Sequence, residues 1–597
     1  MITSRRRVVA ALGTVSLLPL MTAQAWAQTE SGADRAFARL SQRYLDGVLR
    51  LSPINATTTG DHRYDDRIDD VSAAGRAASL RFARGSLRDL EAIDHAQLSR
   101  ANQVDAHILA NALNAQIWQT ETLQSWAWNP LGYQSLAGSA LYGLMARDFA
   151  PLPSRLENAT LRLERLPALL AAARRELVPA RVPAPHAETY AAQNPGLKSI
   201  IADMIAPHAG ALNASKRARL ERAIARFNQA VDEHQVWIES TLVPAAQGEF
   251  RVGAEVFDTQ LGYTLQSTLT RADIRARAEA AVTRVREEMY RVAKRALAAH
   301  NAEDDFYLPD DPTPAQQQAA IAAALELAAA DRPARDALVR TATDATEEAR
   351  RFVQAHDLIT LPEGPVRVIL MPEFQRGFAV AYCDSPGPLE RNLETFYAVS
   401  PIPDDWSDEQ AASFTREYNN RGTLDIAIHE AMPGHYVQIW HSNRYPSVLR
   451  AVLGSGSFVE GWAVYAEEMM VEQGFRVDDP LFRLTQLKIQ LRTITNSIID
   501  QAIHCDGMSR DEMMRLLTGT AFQEEREAAG KWRRAQLSFT QLSTYFVGFE
   551  EPKETRAAAE RKFGGAFDLK QYHDGVLSFG SPPCRFAGQL LLDEPIQ

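Results

Sequence analysis

Pro433-Gly434 falls inside His429-Glu430-Ala431-Met432-Pro433-Gly434-His435, and it makes a regular helix carrying this segment break, as a bulge or an end. Proline has no N–H to give the carbonyl four residues back, here that of His429, and its ring clashes there. The glycine beside it tolerates dihedrals that other residues avoid. The segment is a variant of H-E-x-x-H, in which two histidines four residues apart stand about 40° apart on one helix face. Both imidazoles can then reach one zinc, and the intervening glutamate faces the metal's water. Here the histidines are six apart, which on an unbroken helix turns the second one about 120° away. The Pro-Gly break lies within the interval that needs irregularity, so the local sequence supplies a bulge or helix end that can swing His435 back toward His429. The same letters also fit a plain helix terminus whose histidine favours the dipole.

A third ligand separates these readings. Phe458 to Glu467 reads as a helix with Glu460 and Glu467 seven apart, hence on one face. A carboxylate downstream of the second histidine completes the set of two His and one Glu that leaves an open position on zinc. We therefore expect one zinc per chain on His429, His435 and Glu460, with Glu430 as general base on the metal's water. Glu467 is placed to orient a ligating imidazole as a hydrogen-bond acceptor. Two surface carboxylates are the plainer alternative, and the apolar residues around Glu460 argue against it.

From about Ala33 to His300, apolar residues recur at three- and four-residue spacing, as in Leu163-Leu166-Leu169-Leu170, which predicts helices. Pro-rich breaks at Val178 to Pro185 and Leu308 to Pro314 separate blocks of them. Between Leu361 and Trp406 the texture changes. Val366 to Leu370, Phe378 to Tyr382 and Thr395 to Val399 are short, β-branched or aromatic, and bounded by Pro or Gly, as strands of a small sheet are. Helical spacing resumes near Ser407 and continues to about Gly564. The spacing thus predicts a mainly α chain with a small sheet just before the histidines.

Met1 to Gln28 has a basic start, an apolar run and Ala25-Trp26-Ala27, which fits a cleaved export signal over 1–27. Ser4-Arg5-Arg6-Arg7 resembles the twin-arginine type, and a general secretion signal is the alternative. We expect a periplasmic or secreted protein with residues 28–597 as one helical region, its active-site half at about 361–597, and no membrane span. A net charge of -11 argues against a nucleic-acid partner, which would require a basic face. Three cysteines, Cys383, Cys505 and Cys584, with no C-x-x-C pair, do not make a disulfide framework.

These motifs resemble the bacterial family catalogued as "domain of unknown function 885", which is similar to zinc peptidases of the thimet oligopeptidase and angiotensin-converting enzyme type. The matching text runs from Ser52-Pro53-Ile54-Asn55-Ala56-Thr57-Thr58-Thr59-Gly60 to His573-Asp574, and its most specific parts are His429-Glu430-x-x-Pro433-Gly434-His435 and Glu460-Gly461-Trp462-Ala463. The resemblance implies a large, two-lobed, multi-helix peptidase fold with a small antiparallel sheet beside the cleft, and hydrolysis of short peptides. It also picks out Arg492, Asp500 and His504, and Tyr545, His573 and Asp574. Asp500 and His504 are four apart and can touch on a helix, in a structural or a catalytic role alike. Tyr545 and His573 are candidate donors to the developing oxyanion, with burial and backbone satisfaction as the alternative. A zinc amidase or esterase on a non-peptide substrate would use the same four residues. A metal-free binding protein on the same scaffold would be expected to lack one of them. Oligomeric state is not encoded in any of these motifs.

Overall fold

The computed structural model describes residues 31–301, 307–372, 376, 380–390 and 392–597. The export signal expected over 1–27 lies outside these residues, as do Phe378 and Ala379 of the second expected strand.

Helices dominate, and they begin where capping chemistry allows. Arg271–His300 starts at Thr270, whose side chain accepts from the Asp273 N–H while the Asp273 carboxylate reaches back to the Thr270 N–H. The expected breaks are present. Pro179–Arg181 forms a single 3-10 turn between Leu152–Glu176 and Ala184–Gln193, and Pro314 opens the helix Pro314–Ala330.

The predicted leucine stripe is buried: Leu163, Leu166, Leu169 and Leu170 form one core with Phe227 and Ile238 from later helices. A second core joins Arg271–His300 to Pro480–Cys505 through Met289, Leu484, Leu487 and Leu491. A third gathers Ile428, Met432, Trp462, Tyr465 and Tyr397 around the segment that carries the histidines. Among the described residues no helix is long and apolar enough to cross a membrane. All three cysteines are free.

The sheet has three strands, β1 (Val366–Leu370), β2 (Ala381–Asp384) and β3 (Thr395–Val399), in the order β1-β3-β2. β3 runs parallel to β1 and antiparallel to β2, so the sheet is mixed where an antiparallel one was expected. The reason is topological. The chain leaves β1, passes to the far edge to make β2, and returns between the two, so its third strand matches the direction of the first. β3 fills the centre and is buried along most of its length, whereas β2 is left as an edge.

Candidate metal centre

The helix Asn420–Glu430 ends at Ala431, and a new helix, His435–Ser442, starts at the second histidine. The turn between them is held from both sides. The Gly434 N–H donates to the Ile428 carbonyl at 2.9 Å, and Trp462 Nε1 donates to the Pro433 carbonyl at 2.9 Å. Only glycine fits at 434, because a Cβ there would lie 1.9 Å from the His429 carbonyl oxygen. The result brings the two imidazoles together edge to face, with ring centroids 4.7 Å apart. The six-residue spacing therefore works as the Pro-Gly break requires.

Glu460 comes from the helix Gly456–Glu472, which crosses Ser543–Phe563 at backbone contact: a Cβ on Gly461 would be 2.0 Å from the Gly548 carbonyl oxygen. Glu460 Oε2 lies 3.7 Å from His429 Nε2 and 3.6 Å from His435 Nε2. Three ligands at tetrahedral angles on zinc, with bonds of about 2.0–2.1 Å, stand roughly 3.3 Å from one another. The group thus fits one small cation with little adjustment, and ligand atoms from all three residues lie within 4.8 Å of one another. Glu467, one face-repeat along from Glu460, accepts from His429 Nδ1 at 2.6 Å, which turns Nε2 inward.

The electrostatics favour positive charge in this position. Burial disfavours the His429 cation, but hydrogen bonding to Glu460 and Glu467 outweighs it and raises the ring well above the usual histidine range. Burial opposes ionisation of Glu460 too, yet the two histidines hold it well below the usual carboxylate range. Glu430 sits beside them, 7% exposed, with the Cys383 backbone N–H on its carboxylate. Burial and the nearby Glu460 charge raise its pKa, and its Oε2 accepts no hydrogen bond from a described residue.

Residues 53–591 match the family described as "Bacterial protein of unknown function (DUF885)". The chain belongs to this family. Two solved structures resemble the DUF885 chain. One, a "putative lipoprotein of unknown function" from Shewanella oneidensis, is 31% identical, with a TM-score of 0.77 over 93% of this chain and 99% of that one. A second "putative lipoprotein", from Colwellia psychrerythraea, has 16% identity and a TM-score of 0.74, covers 95% of this chain and 99% of its own, and shares the fold. No curated protein matches.

Of the remaining residues singled out in the DUF885 sequence, Tyr545 and Arg492 border the centre. Burial and the Glu460 charge raise the Tyr545 phenol, whose oxygen accepts from Arg534 at 3.1 Å. His573 does not join them. It is fully buried, its Nδ1 donates to the Leu358 carbonyl at 2.8 Å, and its Nε2 accepts from Tyr465 at 2.8 Å, so the backbone-satisfied alternative describes it. Asp500 and His504 do not bond each other. The Asp500 carboxylate accepts from the Thr540 and Ser543 N–H groups, and His504 Nε2 donates to the Ala535 carbonyl at 2.8 Å while its Nδ1 has no partner among the described residues. Asp574 caps a turn at Thr360, accepting from its N–H and its hydroxyl.

One residue was missed. Asp425 is 1% exposed, one helical turn before His429, and neither carboxyl oxygen has a partner among the described residues. Burial, then the Glu467 charge, raises its pKa well above the usual carboxylate value. Its place four residues ahead of a ligand, on the same face, was the available signal.

Proposed function

We propose that this protein is a zinc-dependent hydrolase of short peptides, a two-lobed helical metallopeptidase acting outside the cytoplasm. The observation that carries the reading is the approach of Glu460 Oε2 to both histidine Nε2 atoms, with buried Glu430 beside the group. Zinc held by His429, His435 and Glu460 would supply Lewis-acid activation of water and of the scissile carbonyl. Glu430 takes the proton from the attacking water and passes it to the leaving amine. Its raised pKa suits both halves of that transfer. Tyr545 would donate a hydrogen bond from its phenol to the developing oxyanion.

The outer edge of β2, which pairs with no strand among the described residues, favours a peptide over other amides. The Ser400 N–H donates to the Val380 carbonyl at 2.8 Å, which sets residues 380, 382 and 384 toward β3 and turns the backbone groups of Ala381 and Cys383 outward. The Cys383 N–H reaches Glu430 from that edge. An extended peptide adding there as a fourth strand lies alongside the general base. The export reading rests on the leader expected over 1–27 and on the relatives described as lipoproteins.

Glu430→Gln provides the test. It keeps shape and hydrogen-bonding reach but accepts no proton, so peptide turnover should fall by about 10²- to 10⁴-fold. Zinc content should stay near wild type. Near-normal hydrolysis by the purified variant, with contaminating proteases excluded, refutes the mechanism.

A further inference from the structure

The helix Glu525–Leu537 presents Glu527, Lys531 and Arg534 at four- and three-residue spacing, on one face. Arg492, from Pro480–Cys505, meets the same face. Among the described residues two of these three cations share one carboxylate within ion-pair distance: Glu527 is 3.8 Å from Arg492 and 3.8 Å from Lys531. Lys488, nearby, is neutralised by Glu417 at 2.7 Å. Among the described residues Arg534 has no carboxylate within 4.0 Å, and its side-chain hydrogen bonds, to Gln541 and to Tyr545, come from Nη2, so Nε and Nη1 have no acceptor there. Lys531 is 6% exposed, and no described residue accepts a hydrogen bond from its ammonium group.

Charge left this way is costly. A buried ammonium without a close counter-ion, as at Lys531, destabilises the fold unless something else compensates it. Burial accordingly pushes Lys531 down to about 7. The group also has a definite position. Arg534 bonds the Tyr545 hydroxyl at 3.1 Å and feels the Glu460 charge, so this cationic wall adjoins the metal centre.

We propose that Arg492, Lys531 and Arg534 form a binding site for a carboxylate of the substrate. This rests on the hydrolase reading for the identity of the substrate, though not for the binding itself. A docking carboxylate accepts from Arg534 and Lys531, adds a second counter-charge beside Glu527, and sets the peptide's register relative to Glu430. The carboxylate belongs either to the peptide's C-terminus or to an acidic side chain.

The experiment uses the full chain carrying Glu430→Gln, with zinc present, so that binding is read without turnover. Calorimetry compares one apolar pentapeptide as its free acid, as its C-terminal amide, and as an amide with one internal residue changed to Glu. We expect the free acid to bind about 10- to 100-fold more tightly than the plain amide, the size of one or two hydrogen bonds to a charged group. Recovery of binding by the Glu-containing amide assigns the site to an acidic side chain, and its failure to recover assigns it to the C-terminus. Adding Lys531→Met, which keeps the apolar stem, should bring the acid-to-amide ratio close to one. Equal affinity for all three peptides overturns the proposal, as does an undiminished ratio in folded Lys531→Met protein. Should that variant fail to fold, the comparison of the three peptides decides. If the free acid outbinds the amide while zinc-loaded wild type cleaves no peptide, the hydrolase reading fails and the carboxylate site stands.

Discussion

Replacing Gly461 with alanine disturbs the metal centre without touching any ligand. The new Cβ would stand 2.0 Å from the Gly548 carbonyl oxygen, 2.1 Å from its carbon and 2.4 Å from the Gly548 Cα. All of these are backbone atoms, so no side chain can swing aside. Ordinary contact begins near 3.4 Å, and the helices Gly456–Glu472 and Ser543–Phe563 must therefore part by about 1.4 Å in this close-packed crossing. Glu460 is the adjacent residue and moves with its helix, whereas metal–ligand distances tolerate only about ±0.2 Å. We expect zinc affinity to fall by about 10- to 100-fold, as when the support of a ligand is removed, and overpacking to cost about 1–3 kcal/mol of stability. Competition with a chromophoric chelator measures the first effect and urea unfolding the second. Gly456→Ala is the control, since nothing lies within 4 Å of its Cβ. Zinc affinity within twofold of wild type in Gly461→Ala would show that the backbone crossing does not position Glu460.

Glu467→Gln should weaken zinc binding about 10- to 100-fold by loosening His429, whose Nδ1 it holds at 2.6 Å; unchanged affinity sinks that role. His573 is held at about 4 by burial, against an ordinary 6.5, so between these values the unfolded chain carries a proton that the folded chain does not. Its contribution is fully present above pH 6.5 and is lost as pH falls toward 4, on the order of 3 kcal/mol in all. Denaturant melts of wild type and His573→Gln across that window should therefore converge as pH drops, and parallel curves contradict the assignment. Asp105→Ala leaves Arg450, fully buried and paired with Asp105 at 2.6 Å, without its counter-charge. A loss of about 3–5 kcal/mol is expected in urea unfolding, and a loss under 1 kcal/mol would mean that the Phe579 and Ala101 carbonyls suffice for Arg450.

Local chemistry made a large part of the candidate centre legible in the sequence. Pro433 and Gly434 dictate a helix break whatever surrounds them, because a missing N–H and a missing Cβ act within a few residues. The seven-residue spacing of Glu460 and Glu467 likewise puts both on one face before any packing is known. The leucine stripe at 163–170 announced its burial by period alone.

Tertiary structure decided what depends on distant partners. The mixed sheet follows from where β3 inserts, a choice the strand residues do not record. His573 and His504 look like candidate ligands by residue type, yet the Leu358, Ala535 and Ser538 carbonyls and the Tyr465 hydroxyl claim their rings. Asp425 carries no motif beyond its one-turn spacing ahead of His429, and burial beside Glu467 and His429 is what marks it. The under-paired charges of Lys531 and Arg534 do not show in the sequence, since pairing is settled by which helices meet. Interactions within one or two turns are written in sequence order; those that join helices hundreds of residues apart exist only once the chain has folded.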